Sequence, residues 1–124
     1  LAETVSLEAF CAQSHVAIEP AEGARMYNEL VDDALRRRGA SRRIALSKPT
    51  FLGVPFLVAS TDLVATLPRL VAERFAHMAP IELFAPPIEV QPIDIVMMWH
   101  DRTHNNPLHR WLRELIAEVC QRWR

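Results

Sequence analysis

Three short stretches hold residues whose types suit ligand chemistry: Glu19-Pro20, Lys48-Pro49-Thr50 with Phe51 next to it, and Leu67-Pro68-Arg69. Each closes a short run that reads as a β-strand. If Thr50 opens the following helix, the free N–H groups of that first turn carry partial positive charge and suit a carboxylate or other anion. The Thr50 hydroxyl adds a donor and the Phe51 ring an apolar wall. The plainer reading is a capping Thr and a core Phe, and spacing alone favours it. Glu19 and Glu22 could form a carboxylate pair, but two acids near one loop are commonplace.

Other constellations carry less. His100, Asp101, His104 and His109 lie close together, yet the spacing HDxxHxxxxH matches no standard zinc pattern and reads as turn and cap geometry. Arg36, Arg37, Arg38, Arg42 and Arg43 could contact phosphate. They read better as cations at a helix C-terminus with solvated side chains beyond it, because no aromatic residues interleave with them and the net charge is −1. There is no GxSxG turn, no HExxH and no Cys–His nucleophile signature, and Asp62 reads as the close of a turn. No catalysis, metal or cofactor is expected. Met97, Met98 and Trp99 read as core or interface, and three glycines are too few for a phosphate-cradling loop. Cys11 and Cys120 have no CxxC spacing and read as reduced thiols.

The elements that must position these residues alternate in type. Ser6 can cap a helix through Ala12, His15 to Glu19 reads as a strand, and Pro20 to Gly23 ends it. Met26 to Arg38 reads as a helix with Tyr27, Leu30, Val31, Ala34 and Leu35 on one face, and Gly39 suits its left-handed stop. Arg43 to Ser47 is the next strand. A helix follows from Phe51 to Ala59, irregular in its first turn because Pro55 lacks an N–H. Leu63 to Leu67 is a strand, and Pro68 suits the first position of the helix carrying Leu70, Val71, Arg74 and Phe75. Ile81 to Ala85 and Ile93 to His100 read as strands separated by the stiff, proline-rich 86–92 segment. Asn105-Asn106-Pro107 starts the surest helix, with Leu108, Trp111, Leu112, Leu115, Ile116, Val119 and Trp123 in one stripe.

This alternation predicts an α/β fold, three-layer α/β/α with a mostly parallel sheet. Ligands bind such sheets beyond the C-terminal strand ends, which is why the three stretches above matter. The 124 residues suit one domain and bury roughly two thirds of their unfolded surface. Half are apolar and 23% charged, an ordinary globular balance. No apolar run is long enough to span a bilayer, so no membrane role is expected. A chain beginning with Leu1 reads as a piece of a longer product, with the cytoplasm as its default setting.

The wording itself resembles a known family. PTFLGVPFLVASTDLVATLPRLVAERFA, Pro49 to Ala76, resembles the effector-binding region of LysR-type transcriptional regulators, and WHDRTHNNPLHRWLRELI, Trp99 to Ile116, resembles that family's C-terminal signature. Pro80 to Pro92 is similar to its proline-rich return. The resemblance runs from Leu7 to Val119. It implies the two-lobed fold of type 2 periplasmic binding proteins, with residues 1–85 as one lobe, 86–92 as hinge crossover, and 93–124 as the returning strand and helix of the other. It also implies a small-molecule effector, aromatic or carboxylate, held between lobes of a homo-oligomer that contacts DNA only through a winged helix-turn-helix outside this chain. Residues matching Pro49, Thr50 and Phe51 line the inter-lobe cleft in the family, although Thr stands here where many relatives have Ser or His. With the other strand ends, the effector-binding candidates are Pro49, Thr50, Phe51, Glu19, Pro20 and Pro68. A solute-binding component of a transporter would share the fold, and a small α/β enzyme is a third class. Without first-lobe strands, Ile93 to His100 and the final helix would be exposed, and a dimer through Ile93 to Trp123 is expected, the alternative being an arm folded back on its own lobe through the turn His100 to Asn106.

Overall fold

A computed structural model describes residues 5–19 and 26–122. The chain divides into two compact units, Leu1–Gln91 and Pro92–Arg124.

In the first unit, α1 (Leu7–Ala12) begins at Ser6, whose hydroxyl accepts from the Ala9 N–H at 3.1 Å. It leads into β1 (Ser14–Ile18), then α2 (Met26–Arg37) and β2 (Arg43–Lys48). α2 stops at Gly39, where φ is +66°, a conformation that favours glycine. The Gly39 N–H bonds the Arg36 carbonyl at 3.0 Å and the Ala40 N–H bonds the Leu35 carbonyl at 3.0 Å. This pair of bonds satisfies carbonyls the helix end would otherwise leave open. The short α3 (Val54–Ala59), β3 (Val64–Ala65) and α4 (Arg69–Ala76) follow.

The three strands form a parallel sheet in the order β2-β1-β3. β1 is central, and His15 to Ile18 are all buried. Successive side chains point to opposite faces. Val16 and Ile18 pack with Val54 and, around them, Tyr27, Phe51, Leu57 and Leu63. On the other face the His15 ring stands edge-on to Phe10, centroids 4.6 Å apart. Phe10 belongs to a second cluster with Val31, Ala34, Leu35 and Ile88. Of the residues marked out by helical spacing in α2, Val31, Ala34 and Leu35 lie in this cluster and Tyr27 in the other, while Leu30 is half-buried.

Several expectations are corrected. The strand over Leu63 to Leu67 shortens to Val64–Ala65. Ile81 to Ala85 forms no strand, only an isolated bridge at Phe84, and Ile93 to His100 has no regular structure. Strands exist through their neighbours, and among the described residues neither segment has a continuous ladder partner. Thr50 caps nothing: α3 begins three residues later than expected, with Gly53 as a cap lacking any side-chain bond and Pro55 in the first turn. The proline that cannot donate is placed where no donor is needed, and residues 51–53 form a turn closed by the Val54 N–H on the Phe51 carbonyl at 3.2 Å. Pro68 is the residue before α4 rather than its first, accepting at its carbonyl from Val71 and Ala72 at 3.0 Å each. Leu70 is exposed, not packed.

In the second unit, residues 92–100 are exposed throughout. The His100 ring accepts from the Arg102 N–H at 3.0 Å and opens the single turn Asp101–Thr103. α5 (Pro107–Gln121) is capped by Asn106, whose carbonyl oxygen accepts from Leu108 and His109 N–H at 3.0 and 3.2 Å. The Trp99 ring stacks with the His104 ring, centroids 6.1 Å apart, and the Arg113 guanidinium lies 4.6 Å from its centre. Leu108, Trp111, Leu112, Leu115, Ile116 and Val119 are exposed along α5. Trp123 lies outside the described residues.

Candidate functional site

Because β2, β1 and β3 are parallel neighbours, their C-terminal ends share one edge of the sheet. Ile18 is in register with Lys48, and the Glu19 N–H continues the ladder onto the Lys48 carbonyl at 2.8 Å. Glu19 is thus beside the entry to Pro49-Thr50-Phe51. Pro68 follows β3 on the opposite flank of β1. Five of the six sequence candidates, Glu19, Pro49, Thr50, Phe51 and Pro68, therefore lie along one edge; Pro20 lies outside the described residues.

Their side chains divide by exposure. Glu19, Pro49 and Thr50 are exposed, whereas Phe51 and Pro68 are half-buried. Phe51 meets Tyr27 edge-on with centroids 5.5 Å apart, a favourable aromatic geometry. It belongs to the core at least in part, as its plainer reading held. Burial pushes the Tyr27 phenol up to about 12, so it stays protonated.

The edge is braced by residues that sequence reasoning missed. Asn28, buried on α2, donates to the Ile18 carbonyl at 2.8 Å and accepts from the Ile18 N–H at 3.2 Å. It pairs the last residue of β1 as a neighbouring backbone would. The Arg42 Nε donates to Asp32 at 2.7 Å, and its terminal nitrogen reaches the Asn28 oxygen at 3.4 Å. The Arg42 side chain is only 2% exposed. This corrects the reading of Arg42 as a solvated member of the basic run. Arg37 and Arg38 instead donate to the Glu89 and Pro87 carbonyls at 3.4 and 3.5 Å. A sequence signal for Asn28 exists: it precedes Val31 by three residues and Leu35 by seven, placing a polar residue on the apolar face. Arg42 carries no such signal.

The clearest cavity lies elsewhere. About 280 Å³ opens beside β3, between Pro55 and Val58 of α3, Val64 to Leu67, Arg69, Ala72 and Glu73 of α4, Phe10, and the run Ile81 to Pro86. None of the five described candidates lines it. Among the described residues no His, Cys, Asp or Glu cluster could hold a metal ion. No described helix is long and apolar enough to cross a membrane.

A parallel α/β unit with its strand ends gathered on one edge is the architecture in which ligands bind beyond the C-terminal ends of the strands. The comparisons name the family. The family described as LysR substrate binding domain matches residues 1–121. The chain belongs to that family. It is 38% identical over 120 residues to the HTH-type transcriptional regulator SyrM of Rhizobium meliloti, covering 97% of this chain and 36% of SyrM. It is 32% identical over 117 residues to the HTH-type transcriptional activator NahR of Pseudomonas putida, covering 94% of this chain and 38% of NahR. The chain thus spans little more than a third of the length of these relatives. The crystal structure of the regulatory domain of MexT, a transcriptional activator in Pseudomonas aeruginosa, superposes with a TM-score of 0.82 at 29% identity, over 95% of this chain and 58% of that one. These relatives are transcriptional regulators, which favours the regulator reading over the transporter component and over the enzyme.

Proposed function

We propose that the chain is the effector-sensing part of a cytoplasmic DNA-binding regulator. A small molecule, aromatic or carboxylate, is held at the edge where Glu19, Pro49, Thr50, Phe51 and Pro68 gather, with Pro20 beside them in sequence. Residues 1–85 act as one lobe, 86–92 as the hinge crossover and 93–124 as the arm returning to the other lobe. Effector bound between lobes favours one closure over another, and that difference in affinity is all that switching requires. Contact with DNA belongs to a helix-turn-helix region outside this chain, in keeping with the similarity to the HTH-type regulators SyrM and NahR.

The observation that carries this reading is the convergence of three parallel strand ends on one edge, the place where open α/β sheets take their ligands. The α3 N-terminus is not part of the argument, since Thr50 stands away from it. What remains is an apolar wall, Phe51, with exposed polar groups around it. In the intact regulator, thermal shift against a panel of small aromatic carboxylates, benzoate first, identifies a stabilising compound. Phe51→Ala then abolishes that shift while the apo protein still unfolds cooperatively. An unchanged ligand shift on a lowered apo midpoint would make Phe51 a plain core residue and remove the proposed wall.

A further inference from the structure

Tyr27 packs on a different side of the sheet from the rest of its helix. Val31, Ala34 and Leu35 of α2 lie with Phe10 on one side. Tyr27, on the first turn of the same helix, packs with Val16, Ile18 and Val54 on the other. The neighbouring Asn28 amide bonds the N–H and C=O of Ile18 at 3.2 and 2.8 Å, and strand backbone groups point within the plane of the sheet. The first turn of α2 therefore stands level with the sheet, at the C-terminal end of β1. A ring attached there reaches the far side across the strand ends, and there it meets Phe51 edge-on, centroids 5.5 Å apart.

The phenol brings a polar group to this apolar wall. The residue is half-buried, and its hydroxyl makes no hydrogen bond among the described residues. Burial keeps it protonated, so it is a donor at neutral pH. The positive charge of Arg42 acts on the same group, against the rise that burial causes. Of the other charges at this edge, Lys48 is half-buried and in register with Ile18, while Glu19 is exposed. A free donor in a positive field suits an anionic acceptor, because hydrogen bonds to ionised groups are the strong ones. We propose that Tyr27 is a further effector-contacting residue, whose ring completes the wall begun by Phe51 and whose hydroxyl donates to the carboxylate of an aromatic acid. The assignment rests on the strand-end site proposed above and names what that site selects: the two rings hold the aromatic part and the phenol holds the acid group.

The test uses the intact regulator, with benzoate, phenylacetate and salicylate as probes and calorimetry as the readout. Tyr27→Phe keeps the ring and removes the donor. Affinity for the acid that binds falls by about tenfold to a hundredfold, the range of one hydrogen bond to a charged group, and the urea midpoint does not move. Carbon-13 labelling at tyrosine Cζ reads the contact directly: the resonance that Tyr27→Phe removes shifts when the acid is added to the unsubstituted protein. A resonance that stays in place overturns the assignment whatever the affinities do. Unchanged affinity in Tyr27→Phe, alongside binding lost in Phe51→Ala, overturns the role of Tyr27 and leaves the strand-end site standing. Unchanged affinity with a lowered urea midpoint makes the hydroxyl structural and overturns it as well. If none of the three acids binds, the strand-end reading and the role of Tyr27 fall together.

Discussion

Replacing Asn28 by Ala tests how the site edge is held. Its amide serves both backbone groups of Ile18, at 2.8 and 3.2 Å, and both residues are buried. Truncation leaves an N–H and a C=O unpaired at the last residue of the central strand. A buried polar group that loses its partner costs about 1–3 kcal/mol, so the pair costs about 2–6 kcal/mol, less what water recovers at the edge. Against a typical domain stability of roughly 5–15 kcal/mol, that is a large fraction. Asn28→Asp separates the two bonds. A carboxylate still accepts from the Ile18 N–H and faces Arg42, but it cannot donate to the Ile18 carbonyl, and it sits one helical turn from Asp32. It should fall between wild type and Asn28→Ala at neutral pH. Urea denaturation followed by circular dichroism, with the slope held constant, measures both. If Asn28→Ala lies within about 0.5 kcal/mol of wild type, the range of ordinary surface substitutions, then Asn28 braces nothing.

Two further predictions concern the same region. His15 is fully buried; its Nε2–H donates to the Phe10 carbonyl at 2.8 Å, and its Nδ1 has no partner. Burial holds its imidazole below the usual 6.5, so stability is full above about pH 6.5 and falls as pH drops toward the folded value, because the unfolded chain takes up a proton the native state refuses. One proton limits the slope to about 1.4 kcal/mol per pH unit, and His15→Phe should remove that component from a pH series of urea midpoints. Arg42→Met keeps the buried stem but removes the bonds to Asp32 and Asn28; since Asp32 is 42% exposed, its carboxylate returns to water and the cost stays at about 1–2 kcal/mol. Arg42→Lys, which keeps the charge without the fork, should lose less by the same assay, and equal losses would show that the charge contributes nothing.

What was legible in the sequence was local. Ser6, Gly39 and Asn106 announced helix boundaries because caps and left-handed stops are made within a few residues of where they act. The apolar face of α2 and the run through β1 were equally plain, since each depends on periodicity alone. The errors share a cause. Thr50 looked like a cap because it precedes an apolar run, but Pro55 settles only in a first turn and so fixes where α3 begins. Arg42 looked like the tail of a basic run; its burial depends on Asp32 and Asn28, which tertiary packing alone brings to it.

The failed strands make the same point about sheets and bear on function. Ile81 to Ala85 and Ile93 to His100 have strand composition, and composition is all that sequence can supply; a strand also needs a neighbour's backbone on at least one side. β3 illustrates the intermediate case, with β1 on one flank and a cavity on the other, so only Val64–Ala65 of a five-residue apolar run is held in the ladder. Pro68 and Arg69 come three and four residues after that weakly held strand, whereas Glu19 and Thr50 follow strands paired over five positions. The two flanks of the proposed site therefore differ in rigidity.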